Sequence, residues 1–266
     1  MKKKILSTLF LLLSCIIVGL IYTAYRYYTP PCIKEPYQMM NHGDTLRIAY
    51  IGDSWAFYHR DHKCQIPMML EETLHRPVKV HSYGIGGKTS KEIYECIYNH
   101  TDFRQFFEKR EYKYCFISAG INDTYKKMGT DYYKKSMDGI IQLLLYNHIH
   151  PIILEIPDYD IQSAFKNQIV SRKVLRQLSM FVNNTPIDCK QLFRDALYEL
   201  VQTKGYHNKI SIIRYQSWNN DFKNDLQRLY RGDGMHLNND GYQVLDSVIV
   251  KEILTIYRRK NELQKE

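Results

Sequence analysis

The chain is poor in the residues that mark special architectures. Of its 266 residues only six are cysteine, eight proline and thirteen glycine, which excludes a collagen-like fibre and a small disulfide scaffold. No two cysteines stand in a Cys-x-x-Cys spacing, so a zinc ribbon or dithiol redox motif is not expected. Wholesale disorder is excluded by the balance of 44% hydrophobic and 24% charged residues. Residues 1–34 contain no acid at all. They hold five of the 37 bases (Lys2, Lys3, Lys4, Arg26, Lys34), which leaves 32 bases against 28 acids over the remainder, so the net charge of +9 is concentrated at the start of the chain. A long basic run is also missing until Arg258-Arg259-Lys260, and no nucleic-acid partner is expected.

One long stretch lacks charge altogether. Ile5 to Tyr25 is 21 residues without an ionisable Lys, Arg, Asp or Glu, and at about 1.5 Å per residue it spans roughly the hydrocarbon core of a bilayer. Apolar residues continue through Ile16-Ile17-Val18, past the only small-residue candidate for cleavage, which favours an uncleaved signal anchor over a cleaved signal peptide. Leu12-Leu13-Ser14-Cys15 also offers a lipoprotein alternative at Cys15. Three lysines before the span and Arg26 after it place the N-terminus in the cytoplasm and the body outside it, in the periplasm. The expected organisation is a signal anchor over 1–28, a linker over 29–44 and one folded domain over 45–266, with the inner membrane contacted through residues 5–25. Among the cysteines of the exported part, Cys115 reads as a core residue, and Cys32 with Cys64 is a possible disulfide.

From Leu46 onward, strand-like runs near 45–51, 78–82, 112–119, 150–156 and 210–214 alternate with helical patterns near 64–75, 89–109, 131–148, 166–182, 189–204 and 239–259. Such alternation predicts an α/β fold with a five-stranded parallel sheet and helices on both faces. Ligands then bind at the carboxyl ends of the strands, so the residues following each strand carry the interest.

The first strand runs into Gly52-Asp53-Ser54-Trp55-Ala56, which seats a serine where a helix starts; Ser54 or Asp53 as a plain helix cap is the other reading. The second leads into Gly84-Ile85-Gly86-Gly87-Lys88-Thr89, whose spacing does not fit a phosphate-binding loop but suits a backbone N–H presented to a substrate oxygen. The third ends in Gly120-Ile121-Asn122-Asp123, placing a carboxamide donor at the same edge, with an Asx-type turn as the alternative. Before the last helix, Asp233-x-x-His236 pairs a carboxylate with an imidazole.

Taken in order, Gly52-Asp53-Ser54, Gly84-x-x-Gly87-x-Thr89, Gly120-x-Asn122-Asp123 and Asp233-x-x-His236 resemble the four blocks of the GDSL or SGNH hydrolase superfamily, over about residues 45–258. The resemblance implies a three-layer α/β/α, flavodoxin-like fold behind an N-terminal transmembrane helix. It implies Ser54 as nucleophile, His236 as general base, Asp233 as the group orienting His236, and an oxyanion hole from the Ser54 and Gly87 N–H groups with the Asn122 side chain. No cofactor is implied. Trp55-Ala56 and His81-Ser82-Tyr83 depart from the family pattern. The expected activity is a serine esterase acting on O-acetyl or other O-acyl groups of an extracytoplasmic glycan. An O-acyltransferase and an inactive, membrane-tethered glycan-binding protein are the alternatives.

Two further features carry expectations. His59 and His62 lie three apart with no third ligand nearby in sequence, so they read as a polar loop and no metal is expected. Trp55, with Phe57 and Tyr58, is a candidate sugar-binding aromatic, and Glu155 after the fourth strand is a candidate substrate contact or a solvated loop carboxylate.

Overall fold

A computed structural model of the chain describes residues 2–39, 45–166 and 168–263. The last five residues of the expected linker, 40–44, lie outside this range. Helix α1 (Lys2–Tyr28) is followed by an irregular stretch to residue 39. Its segment Phe10–Tyr28 is long and apolar enough to cross a membrane, a property shared by signal sequences.

Then come β1 (Leu46–Gly52), α2 (Ser54–His59), α3 (Ile66–Leu74), β2 (Val78–Gly84), α4 (Ser90–Asn99), α5 (Thr101–Glu108) and β3 (Tyr114–Ser118). After these follow α6 (Ile121–Lys126), α7 (Thr130–Tyr146), β4 (His150–Leu154), α8 (Ile161–Lys166), α9 (Val170–Asn183) and α10 (Lys190–Thr203). The chain closes with β5 (Ser211–Ile213), α11 (Phe222–Leu229) and α12 (Asn239–Leu263).

The five strands form one parallel sheet in the order β2-β1-β3-β4-β5. All five lie where the hydrophobic runs predict. The residues of β3 are wholly buried and those of β4 nearly so, the mark of a parallel sheet covered on both faces. On one side α4, α7 and α10 pack side by side; α12 packs against α3 and α11. The result is the expected three-layer α/β architecture.

One helix expected as a single unit is divided: the run 89–109 breaks at His100, which is extended at φ −92° and ψ 116° and ends α4 before α5 begins. The run 166–182 is met by α9, and the short α8 precedes it. Helices α6 and α11 escape periodicity because each spans only about two turns and carries mostly polar residues.

The strand order determines where a site can form. Chain connections leave β1 for β2 on one side and reach β3 on the other, so the crevice at the end of β1 is the topological switch point. Ser54 follows directly there. All six cysteines are free, Cys32 and Cys64 included, and Cys115 is fully buried in the core.

Candidate active site

Asp53 caps α2, its Oδ1 accepting the Trp55 N–H at 3.0 Å. Capping by Asp53 leaves Ser54 as the first helical residue, so Asp53 and not Ser54 takes the cap. A helix start leaves its first amide groups without intrahelical acceptors and carries partial positive charge. The adjoining strand end must come very close. A Cβ on Gly84 would lie 2.1 Å from the Phe57 nitrogen and 2.4 Å from the Asp53 carbonyl oxygen, so only glycine fits between β2 and the first turn of α2.

The histidine arrives from a tight loop between α11 and α12. Tyr230 and Leu237 form an isolated antiparallel bridge, and the Arg231 N–H donates to the His236 carbonyl at 2.7 Å. Within that loop Asp233 Oδ1 accepts the N–H groups of Met235 and His236, each at 2.9 Å, while Oδ2 lies 2.6 Å from His236 Nδ1. His236 Nε2 in turn lies 2.9 Å from Ser54 Oγ. Partial burial raises the Asp233 pKa, but its hydrogen bonds to the His236 ring and to the two backbone amides outweigh this and hold it below the ordinary aspartate value. An ionised carboxylate on Nδ1 favours the tautomer whose Nε2 is the acceptor, which can take a proton from the serine.

The third block adds two polar groups. Asn122, on α6, is nearly buried and its Nδ2 donates to Asp53 Oδ2 at 3.2 Å. That bond uses one of the two amide hydrogens. Asp123 is fully buried and accepts from the Ser90 hydroxyl at 2.5 Å and the Ser90 N–H at 2.8 Å, tying α6 to the start of α4. Thr89 caps α4 in a reciprocal capping box with Glu92, which anchors the glycine-rich loop. Gly87, in that loop at φ +74°, has nothing within 4 Å of where a Cβ would sit, and with Asn122 it lines a cleft of about 350 Å³.

Burial pushes the Asp53 carboxyl up to about 7 and the Asp123 carboxyl up to about 6, against the opposing hydrogen bonds each accepts. Ser54, Asp233 and His236 are thus joined in one hydrogen-bonded chain, with Gly87 and Asn122 lining one adjacent cleft.

Two sequence expectations need correction. Trp55 is fully buried, with its indole N–H donating to the Met235 carbonyl at 3.2 Å and its ring edge-on to Trp218 and Tyr230. It supports the loop that carries His236 and has no face for a sugar, because a large apolar ring here is enclosed by Trp218, Tyr230 and that loop. Glu155 is also buried. Its Oε2 accepts the Tyr215 N–H at 2.9 Å, so it fastens the segment after β5 to the end of β4 and is neither a substrate contact nor a solvated carboxylate.

Tyr58 is the aromatic beside the site, edge-on to His236 at 5.2 Å with Arg231 stacked on it at 4.2 Å. The His59-Arg60-Asp61-His62 segment gains partners invisible in its local sequence: ligand-type atoms of His59, Cys64 and Asp246, the last from α12, lie within 4.8 Å of one another. Both His59 nitrogens and both Asp246 oxygens are engaged in protein hydrogen bonds there.

Residues 50–244 match the GDSL-like Lipase/Acylhydrolase family, nearly three quarters of the chain. The chain belongs to this family of esterases and acylhydrolases. No curated protein matches it. Among solved structures, an acetylxylan esterase of Geobacillus stearothermophilus is similar over 78% of this chain and 94% of its own, with a TM-score of 0.52 and 15% identity. A lipase/acylhydrolase of Enterococcus faecalis covers 78% of this chain and 95% of its own, with a TM-score of 0.51 and 14% identity. A GDSL-like lipase of Bacteroides thetaiotaomicron VPI-5482 gives 79%, 88%, 0.50 and 16%. At such identities these GDSL-like relatives bear on the fold alone.

Proposed function

We propose that the protein is a membrane-anchored serine esterase that removes O-acetyl or other O-acyl groups from an extracytoplasmic glycan. The carrying observation is the hydrogen-bonded sequence from Ser54 Oγ through His236 to Asp233, set at the switch point of the sheet.

In this reading Ser54 Oγ attacks the acyl carbonyl carbon while His236 Nε2 takes the hydroxyl proton. Asp233 orients the ring and stabilises the imidazolium. The oxyanion accepts hydrogen bonds from the Ser54 and Gly87 N–H groups and from the second hydrogen of the Asn122 amide, whose orientation Asp53 holds. His236 then returns the proton to the leaving sugar hydroxyl. Water, deprotonated by His236, attacks the acyl-serine and releases the carboxylic acid and free Ser54.

Two observations support the anchor and the acyl class. Helix α1 presents an apolar span that three lysines precede in the sequence, and the chain belongs to a family of esterases and acylhydrolases. The full chain, with Ser54→Ala as control, would be given an activated acetyl ester alone and with acetylated and unacetylated oligosaccharides, and products followed by mass spectrometry. Serine-dependent free acetate is the expected product. Acetylated sugar formed in place of acetate would move the assignment to acyl transfer, and no serine-dependent product would overturn both.

A further inference from the structure

Helix α9 turns its apolar side outward. Phe181 is 87% and Val170 75% exposed, and Val174, Leu178 and Val182 are each more than half exposed. At 100° per residue these five positions fall within an arc of about 120°. The opposite side of the helix, polar, faces the body: Ser179 is buried and Arg176 stacks on the Phe165 ring at 3.6 Å while donating to Gln168. A soluble surface helix has the reverse arrangement, and a contiguous exposed apolar stripe marks a contact surface.

What covers the stripe follows from its neighbour. Tyr28, the last residue of α1, bonds through its hydroxyl to Ser179 Oγ at 2.5 Å. Lys91 Nζ holds the same end of α1 to the body through the carbonyls of Arg26 and Thr29 at 2.8 and 2.7 Å. Helix α9 therefore begins its contacts where the apolar span ends. An apolar face flanked by the exposed Arg172 and Lys173 fits the interfacial region of a bilayer.

The cleft that holds Gly87 and Asn122 lies between these two helices and α6, with Tyr27, Leu175, Arg172 and Arg176 among its walls. Its cationic side groups suit an anion.

We infer that α9 lies in the outer leaflet of the membrane that α1 spans, and that the cleft beneath it admits an amphiphilic ester whose phosphate rests against Arg172 and Arg176. This deepens the esterase proposal and rests on it and on the anchor reading. The acyl-bearing sugar then reaches Ser54 from the membrane surface, carried on a lipid phosphate, not from bulk solution.

The test uses the full chain in vesicles of 70% phosphatidylcholine and 30% phosphatidylglycerol, with a benzophenone amino acid placed singly at Val18, Phe181 or Tyr146, the last being exposed on α7. Lipid adducts at Phe181 are expected to match those at Val18 and to exceed those at Tyr146 at least tenfold. Adducts at Val18 with none at Phe181, or Phe181 linked to a second copy of the chain, would overturn the docking and leave the anchor standing. No lipid adduct at Val18 would overturn the anchor and the docking together.

In a second arm, an acetylated glucose phosphate is offered free or esterified to a hexadecyl chain in the same vesicles. The lipid-borne form is expected to show at least tenfold higher kcat/KM, and Phe181→Asp or the Arg172→Gln/Arg176→Gln pair to bring the ratio near one. Equal use of both forms would overturn the substrate inference. Absence of Ser54-dependent hydrolysis of either form would instead count against the esterase reading, which the adduct pattern does not touch.

Discussion

The described residues include two Ser–His–Asp arrangements, and they differ chiefly in surroundings. In the outer one Ser54 Oγ is 2.9 Å from His236 Nε2, and His236 Nδ1 is 2.6 Å from Asp233. In the inner one Ser82 Oγ is 2.9 Å from His59 Nδ1, and His59 Nε2 is 2.7 Å from Asp246. Distances alone would not separate them. The outer imidazole and carboxylate side chains are 21% and 49% exposed, whereas the inner pair is 1% and 0% exposed. Ser54 opens a helix at a strand end, beside two candidate oxyanion donors; Ser82 lies within β2, in register with Tyr50 of β1.

The inner carboxylate is also spoken for on its far side, where Asp246 Oδ2 accepts the Gln65 N–H at 2.8 Å. His59 is enclosed edge-on by Tyr50 and Tyr242. The inner set joins α2, β2 and α12 as an internal strut. Reactivity depends on an open approach and on donors aimed at developing charge, not on the three residue types alone.

The largest effect expected from breaking this contrast is at Ser54. Ser54→Ala should lower ester hydrolysis by about a thousandfold or more, with the fold retained in circular dichroism, because the proposed nucleophile is lost while the other groups remain. Next comes the inner carboxylate. Asp246→Ala leaves His59 Nε2 and the Gln65 N–H without their buried acceptor and should cost about 3 kcal/mol in denaturant unfolding. Activity per folded molecule should stay within a few-fold. A loss of activity at unchanged stability would erase the distinction between the two sets.

The carboxylates also differ in the sign of their pH dependence. Asp53 and Asp123 have folded pKa values raised by burial to about 7 and about 6. Their contribution is present in full below the ordinary aspartate value and is lost as pH rises through those folded values. Asp233 is shifted the opposite way, so its contribution is present above the ordinary value and lost as pH falls. The part of the stability that Asp53 and Asp123 contribute should therefore decline from about pH 4 to 7, against an opposite trend from His81, whose imidazole burial holds down at about 4. In Asp123→Asn the amide can still accept from the Ser90 N–H and pair with its hydroxyl, so melting curves should show a flatter decline, mainly between pH 4 and 6. An unchanged slope would mean that Asp123 ionises as it does in the unfolded chain.

Much of this arrangement was legible before the fold was known, for a physical reason. The strands are short apolar runs, and the residues after β1, β3 and α11 belong to turns whose chemistry is local; Ser54, Asn122 and the Asp233/His236 pair are each open to a plain cap or turn reading alone and gain specificity from their order along the chain. What the segments hide is long-range. His59 meets Asp246 across 187 positions, and no spacing rule connects them. Trp55 reads as a sugar-binding aromatic because it adjoins Ser54, and Glu155 as a substrate contact or a solvated carboxylate because it follows β4, yet side-chain direction within a turn is set by packing that sequence does not display. The outward apolar face of α9 is periodic in the sequence, but periodicity does not say which side meets the core.

The smallest effect is the most direct test of the contrast. Ser82→Ala removes the hydroxyl from His59 Nδ1 and leaves the His59–Asp246 contact in place, so thermal denaturation should show a loss of about 1 kcal/mol, the usual net worth of one such hydrogen bond. Hydrolysis by the same preparation should remain within about twofold of the unaltered chain. Ser82 and Ser54 are the same residue type at the same distance from a histidine, and Ser82 is the more exposed of the two, so the paired substitutions ask whether nearby donors and the openness of the histidine and carboxylate separate them. A large fall in turnover for Ser82→Ala at unchanged stability would show that the inner set takes part in the reaction, and the strut reading would fail.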